Sequence, residues 1–298
     1  MVLYGLSAVL IGPTLPGIIE SLDLTLSQAG LVSSVQNAGG FVGAFFCLMI
    51  ADRVSHAGTT VVAFLLLGGA LFAVGLSSEY VLLLLAFAST GFFIRLLDVM
   101  LNASTGELAE PASGRALSLL HMFFSVGAFI GPIVARAIMG AGLSWWQVYR
   151  YCGIGYFLVA AVGYRWLRAY VRAASVRQQG QGEQPTTGAP ADQRPATAGA
   201  APVAAAAAPI AAVAAIGGLL FFYAIHQIGI TSWVPFFLEK TRGAGADLAS
   251  LGLSAYWIGI IVGRLIVSRI VDRAGAVPIL VIGCLLSAVA SLGATLVS

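Results

Sequence analysis

Long apolar stretches separated by short polar breaks dominate the chain. Each stretch is close to the ~20 apolar residues that a helix needs to cross a bilayer. Backbone polar groups find no water partner in lipid, so such stretches must be helical. The pattern predicts nine membrane-spanning helices, near residues 1–20, 28–50, 59–77, 80–103, 116–138, 147–168, 206–238, 249–269 and 277–297.

One segment, 169–205, interrupts this pattern. From residue 173 onward it contains no aromatic residue, and it carries four prolines, Pro185, Pro190, Pro195 and Pro202. A stretch of this composition cannot bury enough apolar surface to order itself. We therefore predict a disordered cytoplasmic linker at 169–205. It separates a six-helix N-terminal bundle at 1–168 from a partial C-terminal bundle of three helices at 206–298.

Composition supports a membrane protein over a soluble one. Hydrophobic residues make up 59% of the chain, charged residues make up 9%, and the mean hydropathy is +0.95. Soluble domains carry about 25% charged residues, so this chain could not build a water-facing surface. The sequence thus predicts an all-α, polytopic membrane protein.

Charge and cysteine usage exclude several other classes. The net charge is 15 − 12 = +3, and the basic residues are dispersed, which argues against a nucleic-acid partner. Cys47, Cys152 and Cys284 lie far apart in apolar stretches, with neither a metal-ligand spacing nor a disulfide framework. We expect no metal and no cofactor.

Arginine distribution predicts the orientation, because cytoplasmic segments carry an excess of Lys and Arg. If the N-terminus is cytoplasmic, four basic residues fall on the outer side: Arg136, Arg150, Lys240 and Arg242. Nine fall on the inner side: Arg53, Arg115, Arg165, Arg168, Arg172, Arg177, Arg194, Arg269 and Arg273. The sequence predicts a multi-pass protein of the cell's inner (plasma) membrane with a cytoplasmic N-terminus.

An internal repeat relates the second and eighth predicted helices. With a shift of 220 residues, Gly39 aligns with Gly259, Gly43 with Gly263, Asp52 with Asp272, and Arg53 with Arg273. The copies are six helices apart in the order of the chain, so both cross the membrane in the same direction, as in transporters built from two parallel six-helix halves. Residues 279–297 then correspond to the third helix. We expect a fragment of a twelve-helix protein that lacks the last three helices; the alternatives are a true nine-helix protein or one completed by a separate chain.

The stretch from Gly43 to Asp52-Arg53 resembles the loop motif of the major facilitator superfamily, with Ser55 and His56 in place of the usual Gly and Arg. Residues 91–132, with LDVMLN followed by RALSLLHMFFSVGAFIGP, resemble the fucose–proton symporter and related sugar-transporter branch. The segments FFYAIHQIGITSWVPFFL and YWIGIIVGRL resemble the seventh and eighth helices of that branch, where Gln227 replaces a common acid. The resemblance implies a major facilitator fold with a complete six-helix first half and three helices of the second.

Polar residues inside the predicted spans are the candidates for proton coupling. A charge inside the bilayer costs at least ~2.5–3.5 kcal/mol and therefore faces a cavity or a partner. Arg95, Asp98 and Asn102 are spaced i, i+3, i+7 and share one helix face. We predict that Asp98 carries the proton and Arg95 tunes it; the alternative is a permanently ionised structural pair. His121 is a candidate relay, or else an interhelical hydrogen-bond partner.

Two further sets complete the candidates, and packing is the alternative role for the first. Amide, imidazole and aromatic groups suit a sugar-like solute, and aromatic rings stack on its apolar face. These predicted substrate-binding residues are Gln36, Asn37, Asn102, His226, Gln227, Tyr256 and Trp257. Glycines and charges at the motif copies and the charge in the eighth helix suit gating between two states. The predicted gating residues are Gly43, Asp52, Arg53, Gly263, Arg264, Asp272 and Arg273.

These features predict a secondary active transporter of a small polar, sugar-like solute, proton-coupled and working by alternating access of two halves. The near alternative is a drug–proton antiporter of the same superfamily. Sequence signatures of a zinc hydrolase, a nucleophile elbow or a P-loop are absent, so we expect neither an enzyme nor ATP drive. The expected partners are the solute, protons and the lipid bilayer, with the protein as a monomer.

Overall fold

The computed structural model describes residues 1–109, 113–182 and 210–296, and it contains no strand within those ranges. A 3₁₀ turn, Ala51–Arg53, follows the third helix, and a π-helical turn, Phe237–Thr241, follows the ninth. The α-helices are α1 Val2–Ala8, α2 Ile11–Leu22, α3 Leu26–Ile50, α4 His56–Val74, α5 Tyr80–Leu108, α6 Ser113–Gly140, α7 Trp145–Val162, α8 Tyr164–Gly182, α9 Ile210–Phe236, α10 Ala246–Ala274 and α11 Ala276–Leu296.

Six helices of the described ranges are long and apolar enough to cross a membrane. They are Leu26–Arg53, His56–Val74, Tyr80–Leu108, Ala116–Gly140, Gly217–Thr241 and Ala246–Val267. The pair α1 and α2, bent by 40°, adds a seventh span if it is counted as one. The other two predicted spans are also helical, but α7 is less apolar and the apolar part of α11 is shorter. The all-α, multi-pass architecture is confirmed.

The bend between α1 and α2 lies at Val9 and Leu10. Pro13 has no N–H to donate, and its ring crowds the carbonyl of Val9 four residues earlier, which breaks a continuous helix. The two short helices still bury one shared face, with Leu10 and Leu15 fully inside. The first predicted span is therefore a broken helix.

The structure is helical across the first part of the predicted linker. Helix α7 ends at Val162, and α8 begins at Tyr164 and continues to Gly182, across the first part of the predicted linker. This part of α8 is rich in Ala, Arg and Gln, which favour helix whether or not they form an apolar face. The hydroxyl group of Tyr170 also hydrogen-bonds Ser104 on α5. The rest of the predicted linker, 183–205, lies outside the described residues.

Helices α3 and α5 cross so closely that their backbones are in direct contact. A Cβ atom at Gly91 would lie 1.8 Å from the carbonyl oxygen of Gln36, and one at Gly39 would lie 2.1 Å from that of Ala88. Small residues allow membrane helices to approach this closely and gain van der Waals contact. The crossing fixes the position of Gln36 and Asn37 on α3 relative to α5.

The two halves meet mainly through the helix pairs α2 with α9 and α6 with α10, and α2 also contacts α10. A Cβ atom at Gly12 would lie 2.2 Å from the carbonyl oxygen of Thr231, so α2 touches the α9 backbone. Gly259 and Gly263, the repeat partners of Gly39 and Gly43, have open space at their Cβ positions within the part of the chain that the structure describes.

Successive membrane-spanning helices run in opposite directions, so their ends fall on two sides of the bundle. The ends near Glu20, Gly75, Gly140 and Lys240 form one side of the bundle, which we name the Glu20 end. The ends near Asp52, Leu108, Val162 and Arg273 form the opposite side, which we name the Asp52 end.

Substituting Gly91 tests the α3–α5 crossing. Gly91→Ala should lower the thermal stability of the purified protein, because the new methyl group meets backbone, and overpacking of this kind costs about 1–3 kcal/mol. Gly106→Ala on the same helix is the control, since nothing lies within 4 Å of its Cβ position. Equal melting temperatures for the two variants would contradict the close crossing.

Candidate solute site between the two halves

A cavity of about 140 Å³ lies where α1, α2, α3, α5 and α9 meet. Its polar lining comes from both halves: Gln36, Asn37 and Arg95 from the first, and Thr231 and Ser232 from the second. The volume is below the ~300–1,000 Å³ of typical ligand sites, so the cavity fits a small solute or part of a larger one. Polar groups from two bodies around one void make it the candidate solute site.

The side chains of this cavity offer both acceptors and donors. Asn37 donates from Nδ2 to the Ser33 carbonyl oxygen at 2.7 Å, which leaves its own Oδ1 to accept. Thr231 donates to the Gln227 carbonyl oxygen at 2.9 Å and keeps acceptor capacity. Arg95 uses one nitrogen toward Asp98, and a guanidinium has five N–H donors. Mixed donors and acceptors of this kind suit the hydroxyl groups of a neutral solute.

A charged strip leads along α5 from the cavity. The Nη1 atom of Arg95 lies 3.3 Å from Oδ2 of Asp98. Asn102 donates from Nδ2 to Oδ1 of Asp98 at 3.2 Å and to its carbonyl oxygen at 2.8 Å. The hydroxyl group of Tyr4 is close enough to interact electrostatically with both charges. The structure thus brings together the three residues that the helical spacing places on one face.

His121 lies elsewhere, between α6 and α10. Arg264 donates from Nη1 to Oγ of Ser125 at 2.9 Å and to the His121 carbonyl oxygen at 3.4 Å. Within the described ranges no hydrogen bond or ion pair links His121 to Asp98 or Arg95. A proton relay between them therefore stays a prediction without a direct contact.

The predicted aromatic substrate contacts pack between helices instead of lining the cavity. Trp257 is 2% exposed and packs with Val9, Ala128 and Leu253, and its ring lies edge-on to Phe124 at 5.7 Å. Tyr256 is half-buried beside it. On α9, His226 is exposed and Gln227 is half-buried, and neither belongs to the cavity lining.

Among the described side chains, no hydrogen bond or salt bridge joins the predicted gating residues of the Asp52 end across the two halves. Asp52 and Arg53 are exposed in the 3₁₀ turn, with no salt bridge among the described residues. Gly43 is buried against Phe92 in the α3–α5 crossing. Arg273 is exposed, and the side chain of Asp272 lies outside the described residues.

The Asp52 end is held by a pair within the first half. His56 Nδ1 lies 2.6 Å from Glu107 Oε1, and His56 Nε2 lies 3.1 Å from the Ala51 carbonyl oxygen. The pair joins the start of α4 to the end of α5. Nearby, burial raises the pKa of the Tyr170 hydroxyl above its ordinary value.

At the Glu20 end, two ion pairs connect the halves. Lys240 pairs with Glu20 across α2 and the π-helical turn, and Arg136 on α6 pairs with Asp247 at the start of α10. Together with the contact between Gly12 and Thr231, they close this end of the interface. The sequence analysis did not predict these two ion pairs. The available signal was that all four residues lie at helix ends on the same side of the membrane.

Helical halves joined around a polar cavity and closed at one end are the architecture of an alternating-access transporter. The family model of the Major Facilitator Superfamily matches residues 1–298. The chain belongs to the major facilitator superfamily. It is a multi-pass membrane protein of a family of transporters.

Two curated proteins resemble part of the chain at low sequence identity. The sodium-dependent glucose transporter 1A of Mus musculus is 21% identical over 136 residues, which are 46% of this chain and 32% of the mouse protein. The major facilitator superfamily domain-containing protein 4A of Danio rerio is 26% identical over 136 residues, which are 44% of this chain and 25% of the fish protein. The matched region thus covers between a quarter and a third of each relative.

Reversing the Lys240–Glu20 pair tests closure at the Glu20 end. Glu20→Lys should weaken closure by up to about fivefold, since exposed ion pairs contribute about 0.2–1 kcal/mol. Spin labels at Ser78→Cys and Leu248→Cys, one in each half, report the distance between the halves by double electron–electron resonance. The fraction of long distances should rise in Glu20→Lys and return to the wild-type value in the double variant with Lys240→Glu. An unrestored double variant would count against this pair as a gate.

Proposed function

We propose that the protein is a secondary active transporter that moves a small, sugar-like solute by alternating access between its two halves, driven by protons. The observation that carries the proposal is the cavity whose polar lining comes from both halves and which is closed at the Glu20 end. A drug–proton antiporter would need a more apolar cavity than one bordered by Gln36, Asn37 and Arg95. The protein then acts as a monomer in the bilayer, without a catalytic step.

A hydroxyl-rich solute is supported by the neutral polar groups of the cavity. Asn37 and Thr231, one from each half, both line the cavity and can together hydrogen-bond several hydroxyl groups. The printed name of the mouse relative, a sodium-dependent glucose transporter, agrees with this solute class. The likeness of residues 91–132 to the sugar-transporter branch supports it as well.

Asn37→Ala should reduce uptake of the transported sugar by raising its half-saturating concentration, because a hydrogen bond in the cavity is lost. Proteoliposomes with a panel of radiolabelled sugars provide the measurement. Ser34→Ala, one turn away on α3 and outside the cavity lining, is the matched control. No sugar uptake by the wild-type protein would overturn the proposed solute class.

Coupling to protons is supported by the position of Asp98. Its side chain is 23% exposed, it lies one turn from the cavity-lining Arg95, and that guanidinium is its counter-charge. A carboxyl group held between water and a cation can change protonation when a bound solute alters its surroundings. Asp98 is thus a titratable group one turn away from the solute site, on the same helix as Arg95.

Asp98→Asn should abolish accumulation driven by a pH gradient and leave solute exchange intact, because Asn keeps the size of the side chain but cannot titrate. Glu79→Gln, an exposed acid just before α5, is the control. Accumulation and exchange are measured in the same proteoliposomes, with a sodium gradient as a separate arm. If Asp98→Asn still concentrates solute under a pH gradient, or a sodium gradient alone drives the wild type, proton coupling at Asp98 is wrong.

The orientation proposed for the plasma membrane has a cytoplasmic Asp52 end. Exposed positions on the two sides report it, Ala169→Cys in α8 and Ser78→Cys at the Glu20 end. In a background without Cys47, Cys152 and Cys284, an impermeant maleimide should label Ser78→Cys in intact cells. Ala169→Cys should react only after the membrane is opened, and the opposite pattern reverses the orientation.

A further inference from the structure

A second cavity, of about 570 Å³, lies between α6 and α10, the helix pair that joins the two halves. None of its lining residues belongs to the candidate solute site. The polar part of its wall is formed by Ser118, His121 and Ser125 on α6 and by Arg264 on α10. Leu119, Met122, Ile261 and Leu265 form the apolar part.

Arg264 brings a positive charge to this cavity without a negative partner. Its recorded contacts are the hydroxyl oxygen of Ser125 and the carbonyl oxygen of His121, which are both neutral. In the part of the chain that the structure describes, no carboxylate lies within salt-bridge distance of the guanidinium. A charge within a membrane span costs at least ~2.5–3.5 kcal/mol unless a cavity or a partner compensates it.

The α6 wall adds further donors to the same void. Ser118, His121 and Ser125 are spaced i, i+3, i+7 and therefore share one helix face. The imidazole ring of His121 can donate an N–H group. The hydroxyl group of Ser118 donates to the Gly114 carbonyl oxygen at 2.9 Å, and it can rotate to donate into the cavity instead. No acidic residue lines the cavity, so its polar groups suit a bound anion and would repel no part of it.

We propose that the cavity between α6 and α10 binds an oxyanion group, a carboxylate or a phosphate, with Arg264 as the principal ligand and His121 and Ser118 as further donors. A guanidinium binds two oxygens of such a group at once through parallel N–H bonds. The group belongs either to a free anionic solute or to the head group of an anionic lipid whose chain lies on the apolar wall. This site is separate from the proposed sugar site, and its test requires no transport.

The thermal stability of the purified protein in an uncharged detergent measures binding, because a ligand of the folded state raises the melting temperature. One arm titrates inorganic phosphate against chloride at equal ionic strength, and the other titrates phosphatidylglycerol against phosphatidylcholine. We expect a saturating rise in the wild type, which Arg264→Gln abolishes. Stabilisation by phosphate identifies a free anion, and stabilisation by phosphatidylglycerol alone identifies a lipid head group.

Arg269→Gln is the matched control, because this arginine of α10 donates to the Leu265 carbonyl oxygen of its own helix and does not line the cavity. It should keep the wild-type rise. Arg264→Lys keeps the charge but loses the planar fork, so its half-saturating anion concentration should increase about tenfold. That variant also serves if Arg264→Gln does not fold. The proposal is wrong if neither anion shifts the wild-type melting temperature, or if the shift survives in Arg264→Gln or is unchanged in Arg264→Lys.

Discussion

The approach of α3 to α5 is the contact on which the candidate solute site depends. In lipid the helices gain little from hiding apolar surface, so association rests on close packing of small residues. At Gly91 the two backbones touch, with the Gln36 carbonyl oxygen in the place where any side chain would stand. The same crossing puts Gln36 and Asn37 on one wall of the cavity and Arg95 on the next. Site geometry is thus a consequence of helix packing.

Periodicity and apolar length predict the features of this fold that are local to one helix. Six of the predicted spans, the second to the fifth, the seventh and the eighth, follow from apolar length. The shared face of Arg95, Asp98 and Asn102 follows from the helical repeat. Helix α8 extends to Gly182, into the predicted linker, because its Ala, Arg and Gln favour helix even where they form no apolar face. The packed position of Trp257 and the pairing of Glu20 with Lys240 depend on how distant helices meet, which no single stretch of sequence encodes.

The two ends of the molecule are held in different ways. At the Glu20 end, charges on different halves pair with each other, so this closure can be released only by moving the halves apart. At the Asp52 end, the hydrogen-bonded pair of His56 and Glu107 lies within the first half and joins α4 to α5. In the proposed alternating-access function, a structure with inter-half pairs at one end corresponds to one side of the cycle.

Two arginines within spans illustrate how the same residue type acquires different chemistry. Arg95 has Asp98 one turn away on its own helix, so the pair is nearly neutral and the cavity beside it suits an uncharged, hydroxyl-bearing molecule. Arg264 meets only a hydroxyl and a carbonyl oxygen, so its charge stays uncompensated by the described part of the protein. Because the net charge at a cavity wall decides which ligands enter at low cost, the first wall supports the proposed neutral, polar solute and the second supports the proposed anion. The difference arises from one acidic side chain three residues along the helix.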